Sequence, residues 1–425
     1  MNKDRGPLQD LLDGAKPDFD LTEPADQTSL YELSEALIAS GSPVEDINRE
    51  ARSEDAPLEF RIAAKLVESR NHLQAIRQPL KIGVAFAMWG EQNRLQPKSD
   101  ANPHGEDALR VKLEQLDWAT RGTPVSWTLY AVDDGCPHGS GRIASDIAAV
   151  HALGRSVKVL FLDDAIPAQS GPLKELHSVN DSRKGGAVIL GAMQALEDGV
   201  DAVIYTDADN SVHLGQIGLL LDKLVNNDSR VVLGNRKHPD AVLVKQEGRW
   251  GIGIKVLRHM QRMVGEAIFS RDIRDTQAAF KLYHRDTLGR IIEEPTVFDF
   301  SFDTDWILAS IAMDEPFEKV PFAFIDSAEE SASITQGPMT TWETLLKGLL
   351  NAVRKHGVAH NVEMARVLDE EIDSAADLDL LIDHLPPELE NASDEQLGNP
   401  DIMSPAALQA WIRQLKSDYR GKGSE

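Results

Sequence analysis

The chain has 425 residues, 42% of them hydrophobic, so it can enclose a large core. Its formal net charge of −25 argues against nucleic acid or an anionic membrane surface as a partner of the whole molecule. A single cysteine, Cys136, excludes an internal disulfide, no window is long and apolar enough to span a membrane, and the N-terminus has no apolar signal core. These features predict a soluble protein of the reducing cytoplasm.

Residues 1–78 and 359–425 are acidic and helical in pattern. The best helices of the first section are SLYELSEALIASG and PLEFRIAAKLVESRNHLQAI, and the second section carries 15 acidic against 5 basic residues. Neither section contains a constellation of catalytic or metal-binding residue types. We predict helical N- and C-terminal extensions with a structural or docking role. They are expected to be dispensable for ligand binding and capable of supporting a homo-oligomer.

From residue 79 to 236 the pattern changes to strands that alternate with helices. Such alternation predicts an α/β fold, with a Rossmann-like, mainly parallel sheet flanked by helices. The predicted strands are KIGVAFAM, VSWTLYAVDD, SVKVLFLDD, DAVIYTDAD and RVVLGNR. The predicted helices between them are EDALRVKLEQLDWAT, GRIASDIAAVHAL, KGGAVILGAMQALEDG and LGQIGLLLDKLVNN.

The alternation stops after residue 236, and residues 237–358 form a second half of the predicted domain. RWGIGIKVLRHMQRMVGEAIF reads as one long amphipathic helix, and DTDWILASIAM and TTWETLLKGLLNAVRKHG as two more. FEKVPFAFID reads as one strand. We expect this half to pack on the sheet and to shape a second pocket.

The stretch VIYTDADNS runs from a buried strand into two aspartates. Residues two apart in an extended chain point the same way, so Asp207 and Asp209 are expected to present both carboxylates just beyond the strand. Paired carboxylates favour a hard divalent cation, Mg²⁺ or Mn²⁺, whose remaining ligands are water and phosphate oxygens. The alternative is a polar loop in which Asp209 and its neighbours cap the following helix.

Other strand ends in the same region carry polar groups. VDDGC places Asp133 and Asp134 before a glycine turn, where they could accept hydrogen bonds from a base or a ribose, or simply form the turn. In NDSRKGGAV, Lys184 precedes a glycine pair that opens a helix, an arrangement suited to a diphosphate. Arg236 ends the fifth strand in GNR.

The order of these motifs resembles the family 2 glycosyltransferases. VDDGC, RKGGA, TDAD, GNR, RDTQAAFKLY and FSFDTDW follow one another as in the branch that contains the dolichyl-phosphate glucosyl- and mannosyltransferases. The resemblance spans residues 81–325. It implies a GT-A fold for residues 79–358, with a nucleotide-sugar-binding half at 79–236 and an acceptor half at 237–358.

The resemblance also implies roles for individual residues. The residues implied to hold the base and the ribose are Phe86, Met88, Glu91 and Asp133 or Asp134, and Lys184 and Gly185 are implied to lie beside the nucleotide. Asp207 is implied to reach the diphosphate through a cation, and Arg236 and Arg274 to offset phosphate charge or to contact the acceptor. Those implied to bind the metal are Asp207, Asp209 and Ser211. The stretch that carries the catalytic carboxylate contains Asp303 and Asp305, of which Asp303 matches the position of the base better.

The implied reaction is inverting transfer of a sugar from a UDP- or GDP-linked donor to a hydroxyl or phosphate acceptor. For Asp303 and Asp305 the alternative role is capping of the helix that follows them. Two other functions stay open: a nucleotidyltransferase that makes the sugar nucleotide, and a non-catalytic nucleotide-sugar-binding scaffold. The first would need a glycine-rich loop after the first strand, where this chain has FAMWGEQNR. The sequence identifies neither the sugar, the base nor the acceptor.

Overall fold

The computed structural model describes residues 6–245, 251–327 and 338–422. They divide by contacts into two compact units. The first consists of residues 1–245, 277–296 and 315–329, and the second of residues 246–276, 297–314 and 330–425. Each unit is described by itself.

The first unit is built on a seven-stranded sheet in the order β3-β2-β1-β4-β7-β5-β8. All neighbours pair in parallel except β7, which runs antiparallel to both β4 and β5. The mainly parallel sheet flanked by helices confirms the predicted fold class. The strands are β1 Leu80–Met88, β2 Val125–Asp133, β3 Val157–Phe161, β4 Ala202–Thr206, β5 Val231–Gly234, β6 Val242–Val244, β7 Phe280–His284, β8 Phe317–Val320 and β9 Ala323–Ile325, with β6 and β9 forming a separate parallel pair.

The helices of the first unit precede, cover and connect these strands. They are α1 Pro7–Gly14, α2 Pro24–Ala39, α3 Val44–Ala51, α4 Leu58–Ala75, α5 Ala108–Thr120, α6 Ser140–Val150, α7 Leu162–Ala165, α8 Gly185–Glu197, α9 Ile217–Asn226 and α12 Arg285–Ile291. Those of the second unit are α10 Ile254–Val264, α11 Glu266–Phe269, α13 Phe302–Ala312, α14 Pro338–Lys355, α15 Val362–Glu371, α16 Ala375–Ile382, α17 Pro387–Glu390 and α18 Pro405–Lys422.

The strand β4 explains where the paired aspartates lie. Its five residues are all buried, and Ile204 pairs with Val84 of β1 on one side and Leu282 of β7 on the other. A strand buried on both faces favours the continuous apolar run that the sequence shows. Because β4 ends at Thr206, Asp207 is the first residue past the carboxyl end of a central strand.

Three predicted elements differ from the observed ones. SVKVLFLDD leaves the strand at Phe161 and continues as the short helix α7. FEKVPFAFID divides at Pro321, which has no N–H to donate, into β8 and β9 of two different sheets. The long helix predicted from residue 249 is α10 and α11, which meet at Gly265, and its first two residues lie outside the described part of the chain.

The N-terminal extension is part of the core of the first unit, which argues against its predicted dispensability for ligand binding. Helix α4 buries Phe60 and Leu66 completely, in the hydrophobic cluster that also contains the strands. Ser69 is fully buried, and its hydroxyl donates to Gly215 O (2.6 Å) and accepts from Gly218 N (2.9 Å). Burial of the apolar face of α4 and the hydrogen bonds of Ser69 thus hold residues 58–75 against the segment that follows the paired aspartates.

The C-terminal extension packs within the second unit. Lys255 of α10 donates to the carbonyl oxygen of Glu390 (2.8 Å), and Arg262 of the same helix forms an ion pair with Asp394 (2.5 Å). Whether residues 79–358 fold as a separate domain stays a prediction. Among the residues that the structure describes, no helix combines the length and the apolar character needed to cross a membrane.

Candidate functional site

The loop after β4 holds Asp207 and Asp209 at the carboxyl edge of the sheet. Lys184 Nζ contacts Asp207 Oδ1, and the side chains are 26% and 29% exposed. Burial raises the pKa of Asp207, but Lys184, Arg236 and Lys112 outweigh that effect, so the pKa lies below its usual value. Asp209 Oδ1 accepts a hydrogen bond from Ser211 N (3.1 Å). The carboxylate of Asp207 is therefore partly exposed and surrounded by cationic groups.

Lys184 occupies an unusual backbone conformation at the start of α8. Its φ is +76°, a region that non-glycine residues rarely adopt, and Gly185 is the first residue of the helix. A Cβ added to the next residue, Gly186, would lie 2.6 Å from Ser182 Oγ. The tight turn thus needs glycine, and it brings the lysine beside Asp207 while the first N–H groups of α8 lack partners within the helix. Strained backbone of this kind is common at functional sites.

The two aspartates at the end of β2 organise the neighbouring turns. Asp133 accepts from Cys136 N (2.8 Å) and Gly141 N (2.7 Å), which satisfies both of its carboxylate oxygens. Asp134 accepts from Ser182 Oγ (2.5 Å) and Lys184 N (2.7 Å). Asp133 matches the turn-forming alternative. Asp134 links the end of β2 to residues 182–186, the lysine turn. Burial raises the pKa of Asp134 to about 6 despite these hydrogen bonds.

Asp134→Asn is expected to raise the stability of the protein at pH 8. The folded-state pKa lies above the usual carboxyl value, so Asp134 contributes stability below that usual value and loses the contribution as pH rises through about 6. Asparagine stays neutral, and the variant should exceed wild type by about 1–3 kcal/mol at pH 8 and by nothing near pH 3. Urea unfolding at both pH values tests this, and a less stable variant at pH 8 would contradict the raised pKa.

The residues predicted at the end of β1 differ in their surroundings. Phe86 and Met88 are residues of β1 with 0% exposure, so their side chains lie in the core, and their contact with a base stays a prediction. Glu91 does lie in the site, since the charges of Asp209 and Asp207 both act on it. Burial, the largest effect, raises the pKa of Glu91 against the opposing charge of Arg94.

Three charged residues of the site were missed from the sequence. Arg94 is 4% exposed and pairs with Glu91 (2.8 Å) and Glu106 (3.3 Å), and Lys112 of α5 is fully buried with its Nζ donating to the carbonyl oxygen of Asp209. The only signal was the position of Lys112 on the apolar face of α5, three residues after Leu109. Arg94 and Glu106 lie in irregular segments with no periodic signal.

Glu106 fixes the chain directly after the paired aspartates. Its Oε2 accepts from Asn210 N (2.8 Å), its carbonyl oxygen accepts from Asn210 Nδ2 (2.9 Å), and its Oε1 accepts from Ser327 Oγ (2.5 Å). Burial and the charge of Asp209 raise the pKa of Glu106 to about 7. Glu106 and Lys112 therefore hold residues 207–211, the aspartate loop, through hydrogen bonds to its backbone at Asn210 and Asp209.

Ser211 and Arg236 were also predicted here. Ser211 is 3% exposed and lines a small internal cavity together with His213 and Gln115. The guanidinium of Arg236 stacks over the Phe324 ring (4.8 Å to the centroid), and its charge acts on Asp207. The structure thus supports Arg236 as a cation of the site, whereas the metal-ligand role of Ser211 stays a prediction.

The donor set determines how well a cation fits. Asp207 and Asp209 supply carboxylate oxygens, and within the described part of the chain the carboxylate of Asp209 accepts one hydrogen bond, from the backbone N–H of Ser211. Among the described residues there is no group of three or more His, Cys, Asp or Glu side chains arranged to hold a metal. Two carboxylates fit Mg²⁺ or Mn²⁺ when the remaining ligands are water and phosphate oxygens, which is how Mg²⁺ is usually bound.

The second unit contains Arg274, Asp303 and Asp305. Asp303 and Asp305 are 5% and 2% exposed and lie in the first turn of α13, whose N-cap Ser301 makes no side-chain cap. Asp305 accepts from His356 Nε2 (2.8 Å) and pairs with Lys355 (3.4 Å), so it joins α13 to the end of α14. Arg274 pairs with Asp272 (2.7 Å). The catalytic and phosphate-binding roles of these residues stay predictions.

Comparisons with known proteins find both sequence relatives and solved structures that are similar to this chain. No protein-family model matches the chain. The undecaprenyl-phosphate mannosyltransferase of Micrococcus luteus is 25% identical over 180 residues, which cover 40% of this chain and 72% of the relative. This match confirms the resemblance to family 2 glycosyltransferases.

The structural matches are weaker. Glucosyl-3-phosphoglycerate synthase of Mycobacterium tuberculosis, solved with Mg²⁺ and uridine diphosphate, is 11% identical with a TM-score of 0.44, over 69% of this chain and 84% of that one. Mannosyl-3-phosphoglycerate synthase of Rubrobacter xylanophilus is 13% identical with a TM-score of 0.43, over 69% and 78% of the two chains.

Proposed function

We propose that the chain is a metal-dependent glycosyltransferase that moves a sugar from a nucleotide-sugar donor to an acceptor with inversion. The observation that carries the proposal is the convergence of Lys184 with Asp207 and Asp209 at the carboxyl end of β4. Ligands of open α/β sheets bind at this edge. The mannosyltransferase of Micrococcus luteus supports the same class of reaction.

The donor diphosphate is assigned to the aspartate loop and the lysine turn. Mg²⁺ or Mn²⁺ held by Asp207 and Asp209 would neutralise charge on the diphosphate. Lys184, Arg236 and the first N–H groups of α8 supply further positive charge for the leaving nucleoside diphosphate. Lys184 then exchanges its contact with Asp207 for one with a phosphate oxygen, which keeps its charge paired.

The base and ribose of a UDP- or GDP-linked donor are assigned to the ends of β1 and β2. Asp134 supports this because a buried carboxylate with a pKa near 6 is ionised at neutral pH at a cost in stability. Glu91 lies close enough to Asp207 and Asp209 for their charges to affect it. The ionised carboxylate of Asp134 is an acceptor of the kind that suits the N–H of a base or the hydroxyls of a ribose.

The acceptor is assigned to the second unit, with Asp303 as general base and Arg274 as an acceptor or phosphate contact. A hydroxyl acceptor needs a base to take its proton, whereas a phosphate acceptor is already anionic. The named acceptor of the Micrococcus luteus relative is a lipid phosphate. The choice between the two, a cytoplasmic location and a homo-oligomer built through the helical extensions stay predictions.

Asp209→Ala is expected to weaken the metal-dependent binding of UDP or GDP by at least about 10-fold, the lower bound for residues that merely support metal ligands. Calorimetry with and without Mn²⁺, and in EDTA, measures the effect. The matched control is Asp146→Ala, which removes an exposed aspartate from α6 and should leave affinity unchanged.

Two outcomes would count against the proposal. Equal nucleotide affinity in EDTA and in Mn²⁺ would show that Lys184 and Arg236 suffice and that the cation is not needed. Absence of any thermal shift with UDP- and GDP-linked sugars, in either condition, would remove the donor assignment itself, because a ligand of the native state must raise its apparent stability.

A further inference from the structure

A small cavity lies where α3 and α4 meet the loop that leads into β6. Its volume is about 50 Å³, and its lining includes the side chains of Arg52, Arg61 and Lys65 with a single carboxylate, Asp240. None of these residues is assigned to the donor or the acceptor. A water molecule occupies about 10–15 Å³ by the same measure, so the cavity has room for a group of about four or five heavy atoms.

Two of the three cations already have partners. Arg52 forms a bidentate pair with Asp240, Nε to Oδ1 at 2.9 Å and Nη2 to Oδ2 at 3.0 Å. Lys65, 7% exposed, pairs with Glu68 at 3.2 Å. Asp240 is thus committed to one arginine, and the carboxylate nearest to Lys65 belongs to the next turn of its own helix.

Arg61 is the exception. Its Nε is buried and has no hydrogen-bond partner, and no ion pair of its guanidinium occurs within the described residues. Arg61 as a whole is half-buried, and a buried N–H donor without a partner is costly. The side-chain amide of Asn48, another lining group, also makes no hydrogen bond to the rest of the described chain and offers a further donor.

The local charge is unusual for this protein. A chain with a net charge of −25 places three cations and one carboxylate around a single cavity, which leaves an excess of positive charge there. The planar guanidinium and the amide present N–H donors, and a tetrahedral oxyanion with its acceptor oxygens matches them in charge and in size.

We propose that this cavity binds a phosphate group, with the Arg61 guanidinium as its principal ligand and Lys65 and Asn48 as supporting donors. Bound phosphate joins the N-terminal helices to the loop that carries Asp240. That loop follows Arg236, so the site lies on the connection between the N-terminal extension and the end of β5. The group comes either from inorganic phosphate or from a small phosphomonoester, which share this chemistry.

The test uses the full chain in a buffer without oxyanions. Calorimetry with inorganic phosphate compares wild type, Arg61→Gln and the control Arg77→Gln, which removes an equal charge from an exposed position just after α4. We expect Arg61→Gln to weaken phosphate binding by about 10-fold or more, as for loss of a charged hydrogen bond, and Arg77→Gln to leave it unchanged. Equal binding by all three proteins would overturn the proposal.

Thermal unfolding adds a second readout that does not depend on donor binding. Without oxyanions, Arg61→Gln should be at least as stable as wild type because it removes a buried N–H donor that has no partner. Phosphate at roughly ten times its dissociation constant should raise the unfolding midpoint of wild type by about 2–5 °C and that of Arg61→Gln by less. A variant that is less stable than wild type without phosphate, and equally responsive to it, would show that the cavity is only structural.

Glycerol phosphate in place of inorganic phosphate distinguishes the two sources. Tighter binding of the ester, lost in Arg61→Gln, assigns the site to phosphorylated small molecules, and tighter binding of the inorganic ion assigns it to phosphate itself. Hydrogen exchange of residues 237–241 should slow with either ligand in wild type and not in the variant. Unchanged exchange in wild type would contradict the link to this loop.

Discussion

Asp303→Asn is expected to lower the rate of sugar transfer by about 10²–10⁴-fold while donor and cation affinities stay near wild type. Asp303 lies in the first turn of α13 and is only 5% exposed. Asparagine keeps the size of the side chain and most of its hydrogen bonds but cannot accept the proton of an attacking hydroxyl. This prediction rests on the proposed function and separates a hydroxyl acceptor from a phosphate acceptor.

Asp305→Asn is the matched comparison for Asp303. Asp305 already pairs with His356 and Lys355, so its substitution should lower the stability of the second unit and affect transfer much less. Turnover, nucleotide affinity and the midpoint of thermal unfolding are measured for both variants. Full transfer activity in Asp303→Asn would remove its role as base, and would leave Asp305 or an anionic phosphate acceptor as the explanation.

Phe60→Ala is expected to lower the free energy of unfolding by about 3–5 kcal/mol, and removal of residues 1–78 to prevent the first unit from folding. Phe60 is fully buried in the cluster that also contains the strands of the sheet. Truncation to alanine loses the transfer free energy of the ring and leaves a cavity that neighbouring side chains fill only in part. Urea unfolding followed by circular dichroism measures the change.

Tyr419→Ala is the control for Phe60→Ala. It removes an aromatic ring that is 69% exposed on α18, and such surface changes usually alter stability by less than about 0.5 kcal/mol. If a protein without residues 1–78 folded with a cooperative transition and still bound nucleotide, the N-terminal helices would be an accessory layer. That result would confirm the predicted dispensability despite the buried contacts.

The sequence by itself determined the local features of the site. A continuous apolar run of β-branched residues specifies β4 as a buried strand, and its end places Asp207 at the edge of the sheet. The glycine pair after Lys184 specifies a tight entry into α8. These features depend on residues within a few positions of one another, so period and residue type suffice to predict them.

Tertiary structure alone decided what surrounds the paired aspartates. Lys112 reaches Asp209 across 97 positions, Glu106 reaches Asn210 across 104, and Ser69 reaches Gly215 across 146. Hydrophobic periodicity reports which face of a helix is buried but not which partner buries it, and it gives no signal for a charged residue in an irregular loop. The N-terminal helices read as an acidic appendage because their polar faces dominate the composition, whereas the fold buries their apolar residues in the same hydrophobic cluster as the strands.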